Sequence, residues 1–280
     1  MDGAVIRANA KINLSLSVEG RRTDGYHNID TVMQSVDLYD TVSIRKSSRL
    51  SVDCKEIEGE KNIAFKAARL FFGETGISGG AEIAVEKRIP TEAGLGGGSA
   101  DAAAVLAGLD RIYETGLSAE RLAGLAIKLG ADVPFMLVGG TARAKGTGEI
   151  LEPLKPLKNC FFIVAKTERK SSTGEMYAAL DRTGYIKPDI EKTVRAAEAG
   201  DISMLGASLG NSFSALWTDT KLERKLKSTG AVGVSLSGSG PARFAVYTAG
   251  AAAETAQRRL KAENICCFLC APAKKSLIFE

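Results

Sequence analysis

The chain has 280 residues, of which 45% are hydrophobic and 25% charged, and its formal net charge is +4. This composition is typical of a soluble globular protein large enough for two domains. No cluster of lysine or arginine is interleaved with aromatic residues, so nucleic acid is not an expected partner. The first ten residues lack the apolar core of a signal peptide, and no stretch approaches the roughly 18 apolar residues of a membrane span. We therefore expect a cytoplasmic protein without a membrane partner.

Five cysteines and one histidine narrow the chemistry further. The cysteines at positions 54, 160, 266, 267 and 270 form neither an even disulfide framework nor a pair of zinc knuckles, and we interpret them as buried free thiols. Because His27 is the single histidine, histidine-rich metal sites are excluded, and a hydrolytic triad could be built only around that residue.

The N-terminal sequence predicts β-structure. Residues 11–18 alternate strictly, which places Lys11 and Asn13 on the polar face of a strand, where a solvated face is the simplest role. The Asp-Gly turn that follows presents Tyr26 and His27 side by side. An exposed aromatic ring beside a histidine can bind a planar ring, or the two residues can simply begin the next strand.

Two further strand-like runs, residues 31–38 and 41–46, lead to a helix that Asn62 is expected to cap. The apolar residues of this helix recur at helical spacing. An alternating run at residues 81–89 then predicts another strand, which stops at Pro90.

A glycine-rich loop follows this proline. Glycines occupy positions 94, 96, 97 and 98, and an alanine-rich helix begins at Ser99. Glycine backbones adopt positive φ and expose bare N–H groups, while the helix N-terminus adds partial positive charge. The loop therefore predicts an anion site, most suited to phosphate, although an ordinary tight turn has the same composition. No lysine follows the glycines as a P-loop requires, and Ser99 stands where G-x-G-x-x-G needs glycine.

Helical patterns continue into the middle of the chain. Residues 99–114 and 118–129 both carry apolar residues at helical spacing. Asp132 follows at a helix-to-strand or helix-to-helix junction, where an N-cap is the simplest role. The sequence then becomes loop-like over residues 145–156, and we place a domain boundary at the end of this stretch.

This boundary divides the chain into residues 1–156 and 157–280. The second part contains a strand, helices, two strands, a helix and a last strand, an order that resembles a split βαβ sandwich. The strands are expected near 161–166, 233, 243 and 265–270, and the helices near 174–181, 188–199, 211–228 and 251–262. Between the two middle strands, residues 237–241 form a second glycine loop that is unusually long for a plain hairpin turn.

Three segments, AKINL, PTEAGLGGGSADAA and LSGSGPARF, together resemble the GHMP superfamily of small-molecule kinases, which includes galactokinase, homoserine kinase and mevalonate kinase. Within it, RTDGYHNI and KLGADVPF resemble the family of 4-diphosphocytidyl-2-C-methyl-D-erythritol kinases of the non-mevalonate isoprenoid pathway. The resemblance extends over nearly the whole chain. It implies an α+β fold with an N-terminal nucleotide-binding domain of the ribosomal S5 domain 2-like type and a C-terminal ferredoxin-like substrate domain.

The resemblance also implies a nucleotide site for ATP. The central glycine loop would hold the ATP phosphates, and two less distinctive residues, Asn62 and Lys87, would lie near the adenine. The loop residues implied are Pro90, Gly94, Leu95, Gly96, Gly97, Gly98, Ser99 and Ala100. Mg²⁺ is expected mainly on the ATP phosphates, in line with its preference for few protein ligands.

Asp132 and Lys11 are implied as the catalytic pair. A carboxylate within hydrogen-bond reach can take the proton from a hydroxyl group as it attacks the γ-phosphorus. An ammonium group beside it favours the ionised carboxylate and offsets charge on the transferring phosphoryl group. Mutation of either residue is therefore expected to reduce turnover more than binding.

For the substrate, the resemblance implies a cytosine ring sandwiched between Tyr26 and Tyr177, with His27 hydrogen-bonded to the edge of the base. Simple helix packing is an equally good role for Tyr177. Asn13 would contact the methylerythritol hydroxyls and Thr173 the diphosphate. The floor of the cleft would be lined by Gly238, Ser239 and Gly240.

The chain departs from the family pattern in two places. Ala100 stands where relatives usually have a second serine, which leaves Ser99 as the one hydroxyl at the start of the helix. Residues 166–170, KTERK, replace the proline- and glycine-containing sequence that usually follows the preceding strand, so the register over residues 166–177 is open.

Other functions fit parts of the same pattern. A GHMP kinase acting on homoserine or mevalonate would share the superfamily motifs, and an inactive nucleotide-binding paralogue would share the loop. A dinucleotide oxidoreductase is disfavoured because the fingerprint fails and no acidic residue is placed after a βαβ turn. Monomer and homodimer are both open.

Overall fold

The structure, a computed structural model, describes residues 2–57, 59–166 and 172–280. Within these residues the strands, numbered in chain order, are β1 (Gly3–Arg21), β2 (His27–Ser47), β3 (Ser51–Asp53), β4 (Gly80–Glu86), β5 (Thr141–Gly146), β6 (Ile150–Pro153), β7 (Phe161–Ala165), β8 (Gly210–Asn211), β9 (Gly233–Leu236), β10 (Arg243–Tyr247), β11 (Cys267–Cys270) and β12 (Leu277–Phe279). The α-helices are α1 (Ile63–Thr75), α2 (Gly97–Tyr113), α3 (Ala119–Leu129), α4 (Val133–Val138), α5 (Thr173–Thr183), α6 (Ile190–Ala199), α7 (Ile202–Ser208), α8 (Lys221–Lys227) and α9 (Gly250–Ala262). None of the helices in the described ranges combines the length and the apolar character that crossing a bilayer requires.

A long antiparallel pair, β1 and β2, forms the centre of the first sheet, whose strand order is β12-β1-β2-β4-β3. β5 pairs with β2, β6 pairs with β5, and the short β8 lies parallel to β1. The two strand-like runs predicted at 31–38 and 41–46 are one continuous strand, β2. The two runs are separated by a β-bulge, where the pairing of β2 with β1 shifts its register between Asn9 and Ala10 of β1. The strands remain paired on both sides of this bulge.

Helices α1 to α4 share one hydrophobic core with this sheet. α2 can lie close to β1 and β2 because its buried face consists largely of alanine, with a glycine at position 108. A Cβ atom at Gly108 would lie 2.4 Å from Ile44 Cδ1 and 2.7 Å from Ile6 Cδ1. This close packing fixes the N-terminus of α2, and with it the glycine loop, beside the polar residues of β1.

The second sheet has the order β11-β7-β10-β9, and every pair in it is antiparallel. In chain order this is 4-1-3-2, the arrangement of a split βαβ sandwich, which confirms the predicted ferredoxin-like fold. Phe162 and Phe244 of this sheet share a core with Ile12 and Leu14 of β1. β12 pairs with β1 as well. The predicted domain boundary after residue 156 stays a prediction.

Three local predictions are wrong. The loop predicted over residues 145–156 contains the end of β5 and all of β6, which pair as a hairpin. Its glycines belong to a tight turn, in which the Glu149 carboxylate accepts the N–H groups of Thr147 and Gly148 at 2.6 and 3.0 Å. α7 lies where the sequence predicts no helix, because seven residues complete too few turns to show an apolar period. Cys266 is exposed, whereas the other four cysteines are buried as predicted.

Candidate active site

A cavity of about 520 Å³ lies at the N-terminal end of α2 and brings together most of the predicted site residues. Those lining it are Lys11, Asn13, Asn62, Lys87, Pro90, Gly94, Leu95, Gly96, Gly97, Gly98, Ser99, Asp132, Thr173, Tyr177, Gly238 and Ser239. A second cavity of about 420 Å³ adjoins it, and Tyr26 and His27 line this one. Ala100 is instead buried in the core, and Gly240 lies against the indole ring of Trp217.

The glycine loop leads into a helix end that no side chain caps. Gly96 is the N-cap of α2, with φ 70°, and the first turn contains no acidic residue. In contrast, the side chains of Asn62 and Ser118 cap α1 and α3. The backbone N–H groups of Gly97 and Ser99 therefore have no capping side chain as an acceptor. The positive end of the helix dipole also lies at the cavity. These are the properties that an anion site at a helix N-terminus requires.

The two glycine loops touch each other at the floor of this cavity. Gly94 has φ +80°, and a Cβ atom there would lie 2.2 Å from Ser237 O. The Ser237 hydroxyl donates to Gly94 O at 2.9 Å, and the Gly238 N–H donates to Asn13 Oδ1 at 2.9 Å. Glycine at position 94 is therefore required both by its backbone conformation and by the close approach of the second loop.

Lys11 and Asp132 meet at the same cavity, with Lys11 Nζ 3.2 Å from Asp132 Oδ2. The Lys11 side chain is 4% exposed and that of Asp132 33% exposed. The backbone N–H of Lys11 donates to Leu95 O at 2.9 Å, which ties this strand to the glycine loop. Asp132 occupies the N-cap position of α4, yet its carboxylate makes no capping hydrogen bond. The carboxylate is thus available to a ligand, with an ammonium group beside it.

Asn13 holds the Lys11 ammonium group in place. Its Oδ1 accepts hydrogen bonds from Lys11 Nζ at 2.7 Å and from the Gly238 N–H at 2.9 Å. Its Nδ2 donates to Thr31 Oγ1 at 3.0 Å. Asn13 is only 2% exposed, so the structure uses most of its hydrogen-bonding capacity inside the protein. Its contact with substrate hydroxyls stays a prediction.

A buried cluster of charges lies beside the glycine loop. Lys87 Nζ is 2.5 Å from Asp40 Oδ2 and 2.6 Å from Asp101 Oδ2. Burial alone opposes the charged form of Lys87, but the carboxylates of Asp101 and Asp40 outweigh it and raise the pKa of Lys87. Burial, assisted by the negative charge of Asp40, raises the pKa of Asp101 to about 7 despite the ammonium group of Lys87.

The second cavity contains an aromatic and charged group around His27. The His27 ring stacks on Tyr177, with ring centroids 4.5 Å apart and planes inclined by 24°. His27 Nε2 lies 2.8 Å from Asp181 Oδ1, which also accepts from the Tyr185 hydroxyl. Hydrogen bonds from Tyr185 and then His27 lower the pKa of Asp181. Burial and then the charge of Asp132 raise the pKa of Tyr177, so its phenol stays protonated.

The other predicted residues differ in their exposure and in the hydrogen bonds that they make. Tyr26 is 63% exposed. Thr173 Oγ1 lies 3.5 Å from Ser239 Oγ, which joins α5 to the second glycine loop. Asn62 caps α1 as predicted, because its Oδ1 accepts the Ala64 N–H at 2.9 Å. Ligand contacts of these residues stay predictions, and residues 167–171, part of the stretch whose register the sequence leaves open, lie outside the described residues.

The sequence predicts no role for three carboxylates at the site: Asp40, Asp101 and Asp181. A signal exists for two of them. Asp101 lies within the glycine-loop motif, near the start of α2, and Asp181 follows Tyr177 by four residues, which places both on one face of α5. Nothing in the sequence near Asp40 indicates its contact with Lys87.

Comparison with known proteins connects this geometry to a family. Residues 62–140 match the family model of the GHMP kinases N-terminal domain. The 4-diphosphocytidyl-2-C-methyl-D-erythritol kinase of Alkaliphilus metalliredigens is 41% identical over 253 residues, which cover 86% of this chain and 87% of that protein. A crystal structure of 4-(cytidine 5'-diphospho)-2C-methyl-D-erythritol kinase is 34% identical, with a TM-score of 0.78, and the match covers 96% of this chain and 100% of that one.

A homoserine kinase from Cytophaga hutchinsonii has the same TM-score, 0.78, at 20% identity, with 100% of this chain and 98% of that one covered. At that identity the likeness shows a common fold only. The identities of 41% and 34%, each over most of both chains, are to 4-diphosphocytidyl-2-C-methyl-D-erythritol kinases. The chain therefore belongs to the 4-diphosphocytidyl-2-C-methyl-D-erythritol kinase family within the GHMP kinase superfamily.

Proposed function

We propose that the protein transfers the γ-phosphoryl group of ATP to the 2-hydroxyl group of 4-diphosphocytidyl-2-C-methyl-D-erythritol and releases ADP. Family membership supports the substrate. The observation that carries the chemistry is the placement of Lys11 and Asp132 beside the uncapped N-terminus of α2, in one cavity. A carboxylate base, an ammonium group and a set of backbone donors are among the groups that phosphoryl transfer to an alcohol uses.

The glycine loop is the proposed phosphate site. Backbone N–H groups at the start of α2 can donate to the phosphate oxygens, and the helix dipole favours their negative charge. The glycine loop comes close to Lys11 at Gly96, since a Cβ atom at Gly96 would lie 3.1 Å from Lys11 Cγ. The γ-phosphate is therefore proposed to lie at the Gly96 end of the loop.

Asp132 is the proposed general base. As the 2-hydroxyl oxygen forms a bond to the γ-phosphorus, its proton passes to the Asp132 carboxylate, and the bond from phosphorus to the ADP oxygen breaks. Lys11, fixed by Asn13 Oδ1 at 2.7 Å, stabilises the negative charge on the transferring group. General base catalysis typically contributes roughly 10²- to 10⁴-fold to the rate.

Mg²⁺ is proposed to reach the site on the ATP phosphates. Among residues 2–57, 59–166 and 172–280, no group of three or more histidine, cysteine, aspartate or glutamate side chains is placed to hold a metal ion. Mg²⁺ takes few ligands from proteins and most from phosphate and water, which suits a cavity of this kind. The Asp132 carboxylate and the Ser99 hydroxyl, which both line the cavity, are the side chains that would hold the ion. When bound, the ion neutralises charge on the β- and γ-phosphates.

The cytosine is proposed to bind in the second cavity, against the exposed ring of Tyr26. The family pattern places Tyr177 on the other face of the base and His27 at its edge. Because the His27 ring itself stacks on Tyr177, we propose instead that the base stacks between Tyr26 and the paired rings of His27 and Tyr177. Aromatic stacking on a base contributes roughly 1–3 kcal/mol. Thr173, which lines both cavities, is the proposed contact of the diphosphate. We also propose residues 1–156 as the ATP-binding domain and residues 157–280 as the substrate-binding domain.

An ADP-release assay with ATP, Mg²⁺ and each of three alcohols tests the proposed function. We expect turnover with 4-diphosphocytidyl-2-C-methyl-D-erythritol and none with homoserine or mevalonate. Asp132→Asn should lower kcat about 10²- to 10⁴-fold and leave the Kd of ATP nearly unchanged. Glu254→Gln, which removes an exposed carboxylate on α9, is the matched control.

Two results would overturn this function. Robust turnover of homoserine or mevalonate would assign a sibling activity. ATP binding without any phosphoryl transfer in the unmutated protein, and without an effect of Asp132→Asn, would make the protein a nucleotide-binding paralogue.

A further inference from the structure

Thr31 on β2 lies behind the proposed catalytic lysine and binds the amide group that contacts it. The Thr31 hydroxyl donates to Ser15 O at 2.6 Å, and Asn13 Nδ2 donates to Thr31 Oγ1 at 3.0 Å. On the other side of the same amide, Asn13 Oδ1 accepts from Lys11 Nζ at 2.7 Å. A chain of hydrogen bonds therefore runs from a strand carbonyl to the Lys11 ammonium group.

The direction of this chain is determined by groups that can act in one way only. A backbone carbonyl only accepts, so the Thr31 hydroxyl gives its single proton to Ser15 O and accepts from Asn13. The Lys11 ammonium group and the Gly238 N–H only donate, and both donate to Asn13 Oδ1. Each end of the Asn13 amide thus has the kind of partner that it needs, which gives the amide one satisfied orientation.

An irregularity in the pairing of β1 with β2 brings Thr31 within reach of these groups. The register shifts between Asn13 and Ser15 of β1, and as a result Leu16 pairs with Thr31. A β-bulge of this kind disrupts the ladder locally and bends the strand. The Thr31 hydroxyl bonds to residues on both sides of the shift, and so links the bulge to the Asn13 side chain.

Thr31 itself does not reach the ligand site. It is 0% exposed and is not among the described residues that line the two cavities, whereas Asn13 lines the main one. A change at Thr31 can therefore affect the site only through the groups to which it bonds. Without the Thr31 hydroxyl, the buried Nδ2 of Asn13 would lose its acceptor, and the Asn13 side chain would move to find another.

The Lys11 ammonium group depends on this support. An ammonium group has three N–H donors, and the described residues give Lys11 Nζ acceptors at 2.7 Å on Asn13 and 3.2 Å on Asp132. The stem of Lys11 packs against the glycine loop, since a Cβ atom at Gly96 would lie 3.1 Å from its Cγ and 3.3 Å from its Cε. A displaced Asn13 amide would thus release the charged end of a side chain whose stem is already fixed.

We propose that Thr31 is a positioning residue for phosphoryl transfer, which holds the Asn13 amide and, through it, the Lys11 ammonium group. The proposal rests on the proposed kinase function, because the position of Lys11 affects turnover only if a phosphoryl group is transferred beside it. Displacing a group at a reacting centre by about 1 Å can cost roughly 10²-fold in rate. A side chain that contacts no ligand can therefore affect turnover strongly.

Thr31→Val tests the proposal, because valine keeps the shape of threonine and lacks its hydroxyl. We expect kcat in the ADP-release assay to fall about 10- to 100-fold, while the KM of ATP stays within about twofold. Thr31→Ser, which restores a hydroxyl, should recover most of kcat. In an Asn13→Ala background, Thr31→Val should have no further effect on kcat, because the two residues act as one unit.

Thr193→Val is the matched control. Thr193, on α6, is also 0% exposed, and its hydroxyl donates to a backbone carbonyl, Ser208 O, at 3.0 Å. It is likewise not among the described lining of either cavity. Thr193→Val should lose stability in urea as Thr31→Val does, and should keep its kcat. Unchanged kcat in a folded Thr31→Val variant would overturn the proposal, and so would an equal fall of kcat in Thr193→Val.

If Thr31→Val does not fold, nuclear magnetic resonance of the unmutated protein decides the question. A nuclear Overhauser effect between the side-chain amide protons of Asn13 and the methyl group of Thr31 supports the proposal, and its absence overturns it. No ADP release by the unmutated protein with 4-diphosphocytidyl-2-C-methyl-D-erythritol would instead refute the kinase function, whatever the contact between Asn13 and Thr31.

Discussion

Replacement of Gly94 by alanine should separate the two glycine loops. At φ +80° a residue with a Cβ atom costs about 1–2 kcal/mol. The Cβ would also lie 2.2 Å from Ser237 O, so the second loop must move. That movement breaks the hydrogen bonds from the Ser237 hydroxyl to Gly94 O and from the Gly238 N–H to Asn13, each worth about 1 kcal/mol. We expect a loss of about 3–4 kcal/mol in the free energy of unfolding.

Urea unfolding and the ADP-release assay measure the two consequences of this change. Because Asn13 also holds Lys11, we expect kcat to fall about 10²-fold in the fraction that stays folded. Gly124→Ala is the control: it lies inside α3, has an ordinary helical φ and has no atom within 4 Å of the added Cβ, so it should stabilise the protein by up to about 1 kcal/mol. If Gly94→Ala unfolded like the unmutated protein and kept its kcat, the contact between the loops would not support the site.

Two further predictions concern Asp181 and Asp101, two carboxylates at the site. Asp181→Asn should raise the KM of the cytidine substrate about tenfold, since it weakens a charge-assisted hydrogen bond that orients His27, and should leave the KM of ATP unchanged; equal increases in both KM values would contradict a role confined to the second cavity. Because the folded state raises the pKa of Asp101 from 3.8 to about 7, its proton is held more tightly in the folded than in the unfolded chain, and stability is lost as the pH rises through this interval. Urea unfolding at pH 5 and pH 8 measures this effect. Between these two pH values, the unfolding free energy of the unmutated protein should fall by at least about 1 kcal/mol relative to that of Asp101→Asn. A difference between the two proteins that does not change with pH would show that the pKa of Asp101 is not perturbed.

Much of the fold follows from patterns that are local in the sequence. The alternation in β1 and the alanine-rich face of α2 identify their elements, because the period of the apolar residues matches one type of backbone. The hairpin of β5 and β6 fails this test. Its glycines are needed for a turn of only a few residues, and their density resembles that of a long loop.

The proposed catalytic pair, Lys11 and Asp132, cannot be predicted from the residues next to each of them in the sequence. From its neighbours alone, Asp132 is best explained as the N-cap of a helix, and its backbone does take that position. Its side chain makes no cap, and the carboxylate lies 3.2 Å from the Lys11 ammonium group, on a strand far away in the sequence. Only the resemblance to a kinase family, which carries tertiary information in its motifs, pairs the two residues in advance.

Residues that contact another side chain of the site are harder still to predict from the sequence. Asp181 is four residues from Tyr177, so helical spacing could place it at the site, but its hydrogen bond goes to His27, 154 residues away. Lys87 likewise joins Asp101 and Asp40 across separations of 14 and 47 residues. The two Lys87 pairs satisfy buried charges, and such pairing is settled only when the sheets and helices have packed.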